Sequence, residues 1–420
     1  MKKKHKLIFA LILSLGILLR IYKLYDRPYG IHIDEAGMYA DAINLVENGT
    51  DRYNHQYPVY LQNFGGGQSV LYAYFTSFLI KILPNSYLLI RIPSVIFGTL
   101  LIIYGYLIGK ELLNKKHALI IMLMISVCPY FIQASRIGLD CNLLLPLLTI
   151  STYYLIKAIK QNKNKIYILS GILFGITLYT YALSYLIIPL FLIITLSYLI
   201  KHKKINIKNI LSVLIPSFIL AVPLILFLLV NYNIIPEFTF IKSDMYKLPY
   251  FRGNELSILN IINNFDIITM ILTGDGFHWN SNIMFGTITY TLVPIFIYGI
   301  TLYIIDMNKN RGFDLSKIIF FIFISTYVII MLTDSPNINK TNSIYFSIIY
   351  FIIYGLIKIK PKFQKILITI FIINSILFYN SYLNRKIHDP FYFNASIYDE
   401  NESEYMKNIN PEIYKLLKEL

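Results

Sequence analysis

Eleven runs of apolar residues, each near the length needed to cross the hydrocarbon of a bilayer, dominate this chain. They fall at about residues 7–24, 92–109, 118–133, 142–156, 166–182, 184–200, 210–230, 286–305, 318–333, 342–357 and 366–382. A backbone immersed in hydrocarbon must satisfy its amides internally, so consecutive apolar runs of this kind are restricted to helices. The expected fold is all-α: a polytopic transmembrane helical bundle of about 11 spans. Composition points the same way, because 56% hydrophobic and 15% charged residues are too apolar a mixture for a water-soluble globule.

The formal charge of +15 raises the question of nucleic acid, but the basic residues come in short clusters between spans. That is how topology is set, and it excludes a nucleic-acid partner. With a cytoplasmic N-terminus, the inner segments 1–6, 110–117, 157–165, 201–209, 306–317 and 358–365 hold 22 of the 38 Lys and Arg. Short outer turns hold almost none. Met1 to Lys6 followed by the run from Leu7 reads as a retained signal anchor, since no small-residue cleavage site precedes Arg20. The stretch Ser69–Leu83 is also apolar, yet a full span there would place the later Lys clusters outside; it is expected to be an interfacial helix. The outer side then carries a first loop at about 25–91, a second at about 231–284 and a small C-terminal tail at 383–420, in which Pro411 is placed to open a short helix. Cys128 and Cys141 lack metal-ligand spacing and read as small buried hydrophobes, and sequons such as Asn394-Ala-Ser reflect an Asn-rich composition.

Under this topology the ionisable residues at span ends converge on the outer rim: Asp34 and Glu35, Arg91, Arg136 and Asp140, Asp334 and Lys340. A coupled transporter places charges near the midplane, where they are costly and mark a path. Charges at the membrane–water boundary suit an enzyme that joins a lipid-borne substrate to a water-borne one. Asp34 and Glu35 are adjacent in Gly30-Ile-His-Ile-Asp-Glu-Ala-Gly37. Neighbours on a helix point to different faces, so one carboxylate can face a substrate while the other braces the loop. The plainer alternative is that Asp34 is the N-cap of a helix running through Tyr39, Ile43 and Val46 to an Asn48-Gly49 stop. Arg91 can equally snorkel to headgroups, Arg136 and Asp140 can pair with each other, and Lys340 can be an ordinary turn lysine. His278 and Trp279, in Thr273-Gly-Asp-Gly-Phe-His-Trp279, either line a substrate path or are structural.

The order Asp34-Glu35, Gly49-Thr-Asp51, Arg91-Ile-Pro-Ser94, Ser135-Arg136 and Asp140 resembles the GT-C glycosyltransferases, in the branch of protein O-mannosyltransferases and the lipid A aminoarabinose transferase. The resemblance is best over about residues 7–200, with Asn339-Lys-Thr-Asn342 similar to a later element. It implies a GT-C-type transmembrane catalytic domain over 1–382 and an inverting glycosyltransferase. Such an enzyme moves a hexose or pentose from a polyprenyl-phosphate carrier to a lipid, glycan or protein acceptor on the outer face of a bacterial plasma membrane. On that reading Asp34 is the general base and Glu35 its partner, while Arg91, Arg136 and Lys340 bind the donor phosphate. Asp140, Asp51, Tyr57, His278 and Trp279 are the candidate substrate contacts. No convincing metal-ligand set accompanies the pair, so neither a metal nor another cofactor is expected. Two departures stand out: Gly65-Gly66-Gly67-Gln68-Ser69 replaces the Pro-Pro-Leu element of many relatives, and the large extra outer domain of eukaryotic members is missing. A polysaccharide polymerase or ligase is the alternative enzyme, and a transporter or lipid flippase the alternative from another class.

Overall fold

The computed structural model describes residues 3–385, apart from Phe64, Gly65, Asn85, Arg252 and Asn254, together with the backbone of Tyr392 and Phe393. Most of the tail expected at 383–420, including Pro411 and Asn394, lies outside the described residues.

Helices dominate. In chain order they are α1 (Lys3–Ile21), α2 (Ile33–Glu47), α3 (Leu71–Ile82), α4 (Ile92–Leu112), α5 (Lys115–Val127), α6 (Pro129–Ala134), α7 (Leu144–Gln161), α8 (Asn164–Thr177) and α9 (Ser184–Lys201). They continue as α10 (Ile207–Asn231), α11 (Asn260–Asn263), α12 (Ile267–Thr273), α13 (Val293–Lys309), α14 (Lys317–Leu332), α15 (Ile338–Thr341), α16 (Tyr345–Lys358) and α17 (Pro361–Asn384). The apolar runs of the sequence fall on helices, except that the run at 118–133 is divided between α5 and α6 at Cys128 and the run at 286–305 becomes helical only from Tyr290. Among the described residues seven segments are long and apolar enough to cross a membrane: Tyr87–Leu112, Asp140–Gln161, Ser184–Lys201, Ile207–Asn231, Tyr290–Lys309, Ile338–Lys358 and Pro361–Asn384. The chain is an integral membrane protein. The ambiguous stretch forms α3, whose 12 residues reach about 18 Å, well short of the hydrocarbon thickness of about 30 Å. It packs along α2 instead.

Local sequence sets the ends. Proline stands in the first turn of α4, α6, α13 and α17, where its missing N–H removes no helix bond. Asn114, Asn206 and Asn337 cap α5, α10 and α15 with their side-chain oxygens. Among the described residues three short antiparallel ladders supplement the helices: β1 (Ile31–His32) with β6 (Tyr392–Phe393), β2 (Tyr60–Asn63) with β3 (Gly66–Ser69), and β4 (Phe238–Phe240) with β5 (Ser243–Met245). The β2–β3 hairpin pairs Tyr60 with Ser69 and Asn63 with Gly66, and it follows α2 on the way to α3.

The core is centred on α16, which buries Tyr345 through Ile353 as well as Gly355 and Leu356. By contrast α10 and α17 leave most of their apolar surface uncovered, the expected state of helices that face lipid. Without a hydrophobic force between helices in lipid, close packing depends on small residues. α13 crosses α16 at Gly299 and Gly355, so closely that a Cβ on Gly299 would lie 1.9 Å from the Phe351 carbonyl oxygen. Gly299→Leu must therefore separate the pair, and the expected loss is at least the overpacking cost of about 1–3 kcal/mol. A thermal midpoint equal to wild type in detergent would refute the crossing.

Candidate active site

The acidic pair opens α2. His32, not Asp34, is the N-cap: its Nδ1 accepts from the Asp34 N–H at 3.1 Å, and the Glu35 carboxylate accepts from the His32 N–H at 2.9 Å. This is a reciprocal capping box built on a ring nitrogen. With the cap supplied by His32, the Asp34 carboxylate is not consumed in closing the helix. Its side chain is 37% exposed and faces a cavity, while Oδ1 accepts from Asn63 Nδ2 at 2.9 Å.

Glu35 faces the other way and is fully buried. Its carboxylate accepts from Arg91 Nε at 3.0 Å, from a second Arg91 nitrogen at 3.2 Å and from the Gly138 N–H at 2.6 Å. Arg91 also donates to the carbonyls of Leu24, Pro28 and Gly30. Arg136 is likewise buried and donates to the carbonyls of Leu19, Arg20, Tyr22, Lys23 and Arg27, with its guanidinium 5.5 Å from the Tyr382 ring centre. Those carbonyls belong to the last turn of α1 and the loop beyond it, where helical C=O groups lack helical partners and a cation is favoured. Neither arginine therefore lies in the cavity, neither reaches headgroups by snorkelling, and Arg136 does not pair with Asp140. A third guanidinium, Arg20, closes the end of α5 through the carbonyls of Ile125 and Ser126 at 3.0 and 3.2 Å.

The cavity has a volume of about 420 Å³. Asp34 and Asn63 come from the first loop, Gln68 from β3, Asp140 and Cys141 from the turn before α7, Glu255 from the loop after α10, and Asn337, Asn339 and Lys340 from the segment before α16. Asp140 is fixed by the N–H groups of Ser69 at 2.9 Å and Cys141 at 2.7 Å. Lys340 is the single cation among the described lining residues; its Nζ meets Glu255 at 3.1 Å and the Asp334 carbonyl at 2.7 Å. Tyr60, Tyr181, Tyr232 and Phe251 supply aromatic surface. A second, apolar cavity of about 660 Å³ adjoins it, bounded by the end of α8, α9 from Tyr185 to Leu196 and α10 from Leu214 to Leu228. The two share Tyr185, Leu224 and Leu228 as lining residues. At 1.5 Å per residue the apolar groove runs about 16–21 Å along the helices. Ile193, Ile215 and Phe218 on its rim are among the most exposed apolar residues of the chain.

Residues 68–232 match the sequence family described as dolichyl-phosphate-mannose-protein mannosyltransferase. The whole arrangement is similar to ArnT from Cupriavidus metallidurans bound to undecaprenyl phosphate, with a TM-score of 0.62 at 11% identity, over 98% of this chain and 73% of that one. It is also similar to the Archaeoglobus fulgidus oligosaccharyltransferase in complex with Zn and sulfate, with a TM-score of 0.61 at 13% identity over 97% of this chain. A further similar structure is the AglB oligosaccharyltransferase of the same organism with an inhibitory peptide and a dolichol-phosphate, with a TM-score of 0.58 at 11% identity. This is the GT-C glycosyltransferase fold. The chain spans 56% and 59% of those two oligosaccharyltransferases. No curated protein matches the sequence.

Within the GT-C fold the remaining candidates divide clearly. Asp51 is buried and holds a tight turn, accepting from the N–H groups of Tyr53 and His55, both at 2.9 Å, and from the His55 ring. Tyr57 is half exposed against Gly49 and does not line the cavity. Trp279 stands behind the wall, clustered with Leu139, Cys141 and Tyr181, and its ring lies 5.0 Å from that of His32. His278 is engaged with Arg385 and, through its carbonyl, with Gln133. Asn63, Gln68 and Glu255 line the cavity without having been marked by the sequence pattern; their one signal was membership of the long loops. Both cysteines are free and buried, Cys128 within the core and Cys141 at the cavity wall. Among the described residues no three His, Cys, Asp or Glu side chains are grouped to hold a metal.

The division between Asp34 and Glu35 is testable by stability. Glu35→Ala strands the buried Arg91 charge and is expected to cost about 3–5 kcal/mol, whereas Asp34→Asn, at a partly exposed position, should stay within about 1 kcal/mol of wild type. Thermal unfolding in detergent reads both, and equal losses would contradict the opposite orientations of the pair.

Proposed function

We propose that the chain is an inverting glycosyltransferase that moves a sugar from a polyprenyl-phosphate carrier to an acceptor hydroxyl at the outer face of the membrane. The observation that carries this reading is one cavity holding a carboxylate, Asp34, and an ammonium, Lys340, and joined to an apolar groove whose rim is open along α9 and α10. The groove takes the isoprenoid tail. The cavity takes the phosphate and the sugar.

Asp34 is assigned as the general base. It removes the proton of the acceptor hydroxyl while that oxygen forms a bond to the anomeric carbon, and the bond from that carbon to the phosphate oxygen breaks with its electron pair going to the phosphate. Lys340 stabilises the charge developing on the leaving group. Asp140 and Gln68 are placed to accept and donate hydrogen bonds to sugar hydroxyls, and the aromatic walls suit a carbohydrate face. Arg91 and Arg136 shape the site from behind and are not assigned to phosphate. The first loop, about 25–91, supplies the base; the acceptor class and the sugar are left to experiment.

A positioned base contributes about 10²–10⁴-fold in rate. Asp34→Asn is therefore expected to lose transfer of radiolabelled sugar from polyprenyl-phosphate donors by that factor while keeping donor binding; retained turnover ends the assignment. Lys340→Ala should lower turnover as well as donor affinity, since the phosphate is bound before the reaction and gains charge during it. Turnover is expected to persist in chelator, and its loss with recovery on added divalent metal would replace Lys340 by a metal as the main electrophile. Ala221→Trp, inside the groove, should raise KM for a full-length polyprenyl donor more than for a short-chain analogue.

A further inference from the structure

We infer that Asn63 is a positioning residue for Asp34, held in register by Arg52 and Asp41 across a gap that Gly37 leaves open on α2. The inference rests on the assignment of Asp34 as the base.

Asn63 ends β2, at the tip of the hairpin, and touches Asp34 from the side of the cavity. Its Nδ2 donates to Asp34 Oδ1 at 2.9 Å, while its Oδ1 accepts from a terminal nitrogen of Arg52 at 2.8 Å. Guanidinium nitrogens only donate, so the side of the amide facing Arg52 must be the oxygen, and the amino group must face Asp34. The orientation of Asn63 is thus dictated from behind. Arg52 in turn is anchored to Asp41, whose Oδ1 accepts from Arg52 Nε at 2.9 Å and from the Arg52 backbone N–H at 3.0 Å. Both ends of that pair are sequestered, with Asp41 fully buried and the Arg52 side chain 7% exposed. Burial raises the Asp41 carboxyl to about 6 even with Arg52 beside it holding it down, so the arginine is what keeps the charge there at neutral pH.

Asp34 and Asp41 are both on α2, seven positions apart and therefore on one face, two turns from each other. The Arg52–Asn63 link spans those two turns outside the helix, and Gly37 lies beneath it. A Cβ on Gly37 would fall 2.8 Å from Asn63 Oδ1 and 3.0 Å from each terminal nitrogen of Arg52. No other reason for glycine at this place is visible: it is not at a helix end, it is buried, and an alanine would be the better helix former. The helix gives up propensity at Gly37 so that the link can lie against it. The consequence is that one carboxylate oxygen of the base is held by a rigid donor, while the other lies 3.8 Å from His32 Nδ1.

The experiment is a double-mutant cycle on the full-length protein in membranes or detergent, with polyprenyl-phosphate sugar as donor. Asn63→Ala is expected to lower kcat on the order of 10- to 100-fold, the scale of a misplaced catalytic group, with donor KM nearly unchanged. In an Asp34→Asn background the same substitution should cost nothing further, because the group it positions is gone. A kcat for Asn63→Ala within twofold of wild type, or an equal additional loss in the Asp34→Asn background, overturns the inference. Gly37→Ala is the second arm and removes no hydrogen-bonding group. It is expected to stay folded, because the gain in helix propensity offsets part of the crowding, yet to lose turnover in the manner of Asn63→Ala, and full turnover in a folded Gly37→Ala protein also overturns the inference. Asp34→Asn alone reports on the parent assignment: if it turns over normally, the base is elsewhere, and that failure is separate from any result at Asn63.

Discussion

The buried contact between Glu35 and Arg91 is the interaction on which the site depends. Through it the start of α2, the loop after α1, the start of α4 and the turn at Gly138 are fixed to one another. A lone charge in such a place is expensive, and the pair is tolerable because the carboxylate and guanidinium are further satisfied by backbone N–H and C=O groups. Loop carbonyls that would otherwise be orphaned near the membrane find donors here. Arg136 and Arg20 do the same for the ends of α1 and α5. Three arginines are thus used as internal scaffolding at one end of the bundle, which leaves the cavity a predominantly acidic lining with Lys340 as the described positive group.

Much of the bundle was legible because hydrocarbon imposes a strict rule on the backbone. Apolar runs near span length mostly became helices, although the run at 118–133 breaks at Cys128 and that at 286–305 is helical only from Tyr290, and the short α3 is too short for a crossing. The β2–β3 hairpin was not legible, since Gly66-Gly67-Gln68-Ser69 carries no alternation of apolar and polar residues. The α2 cap shows a subtler limit. The spacing of a capping box was present from His32 to Glu35, but histidine is not among the usual capping residues, so the carboxylate of Asp34 was the more natural reading.

At the site the limit was one of direction. Topology places Arg91 and Arg136 at span ends, yet that position does not say whether a long side chain turns into a cavity or back onto its own chain. Burial of the surrounding carbonyls decided that, and it is a property of packing. Asp34, Asp140 and Lys340, from three distant parts of the sequence, do line one cavity. Asn63 and Gln68 are neutral and sit in a hairpin whose sequence has no strand-like alternation, where a one-dimensional reading has no reason to prefer them to the many other Asn and Gln residues.

The open flank of the groove between α9 and α10 has a consequence for how occupancy is counted. Its rim residues, Ile193, Ile215 and Phe218, face where acyl chains would lie. Any lipid that occupies it arrives by sliding within the bilayer, not by partitioning out of water. Its effective concentration is then a number per unit of membrane area, unaffected by the volume of the aqueous phase. Dilution of the same lipid in detergent micelles or added phospholipid would change occupancy at constant bulk concentration, while a water-borne acceptor entering from the opposite side of the cavity would still obey ordinary volume concentration. Under the proposed function, with a water-borne acceptor, the site is a junction between a two-dimensional and a three-dimensional supply.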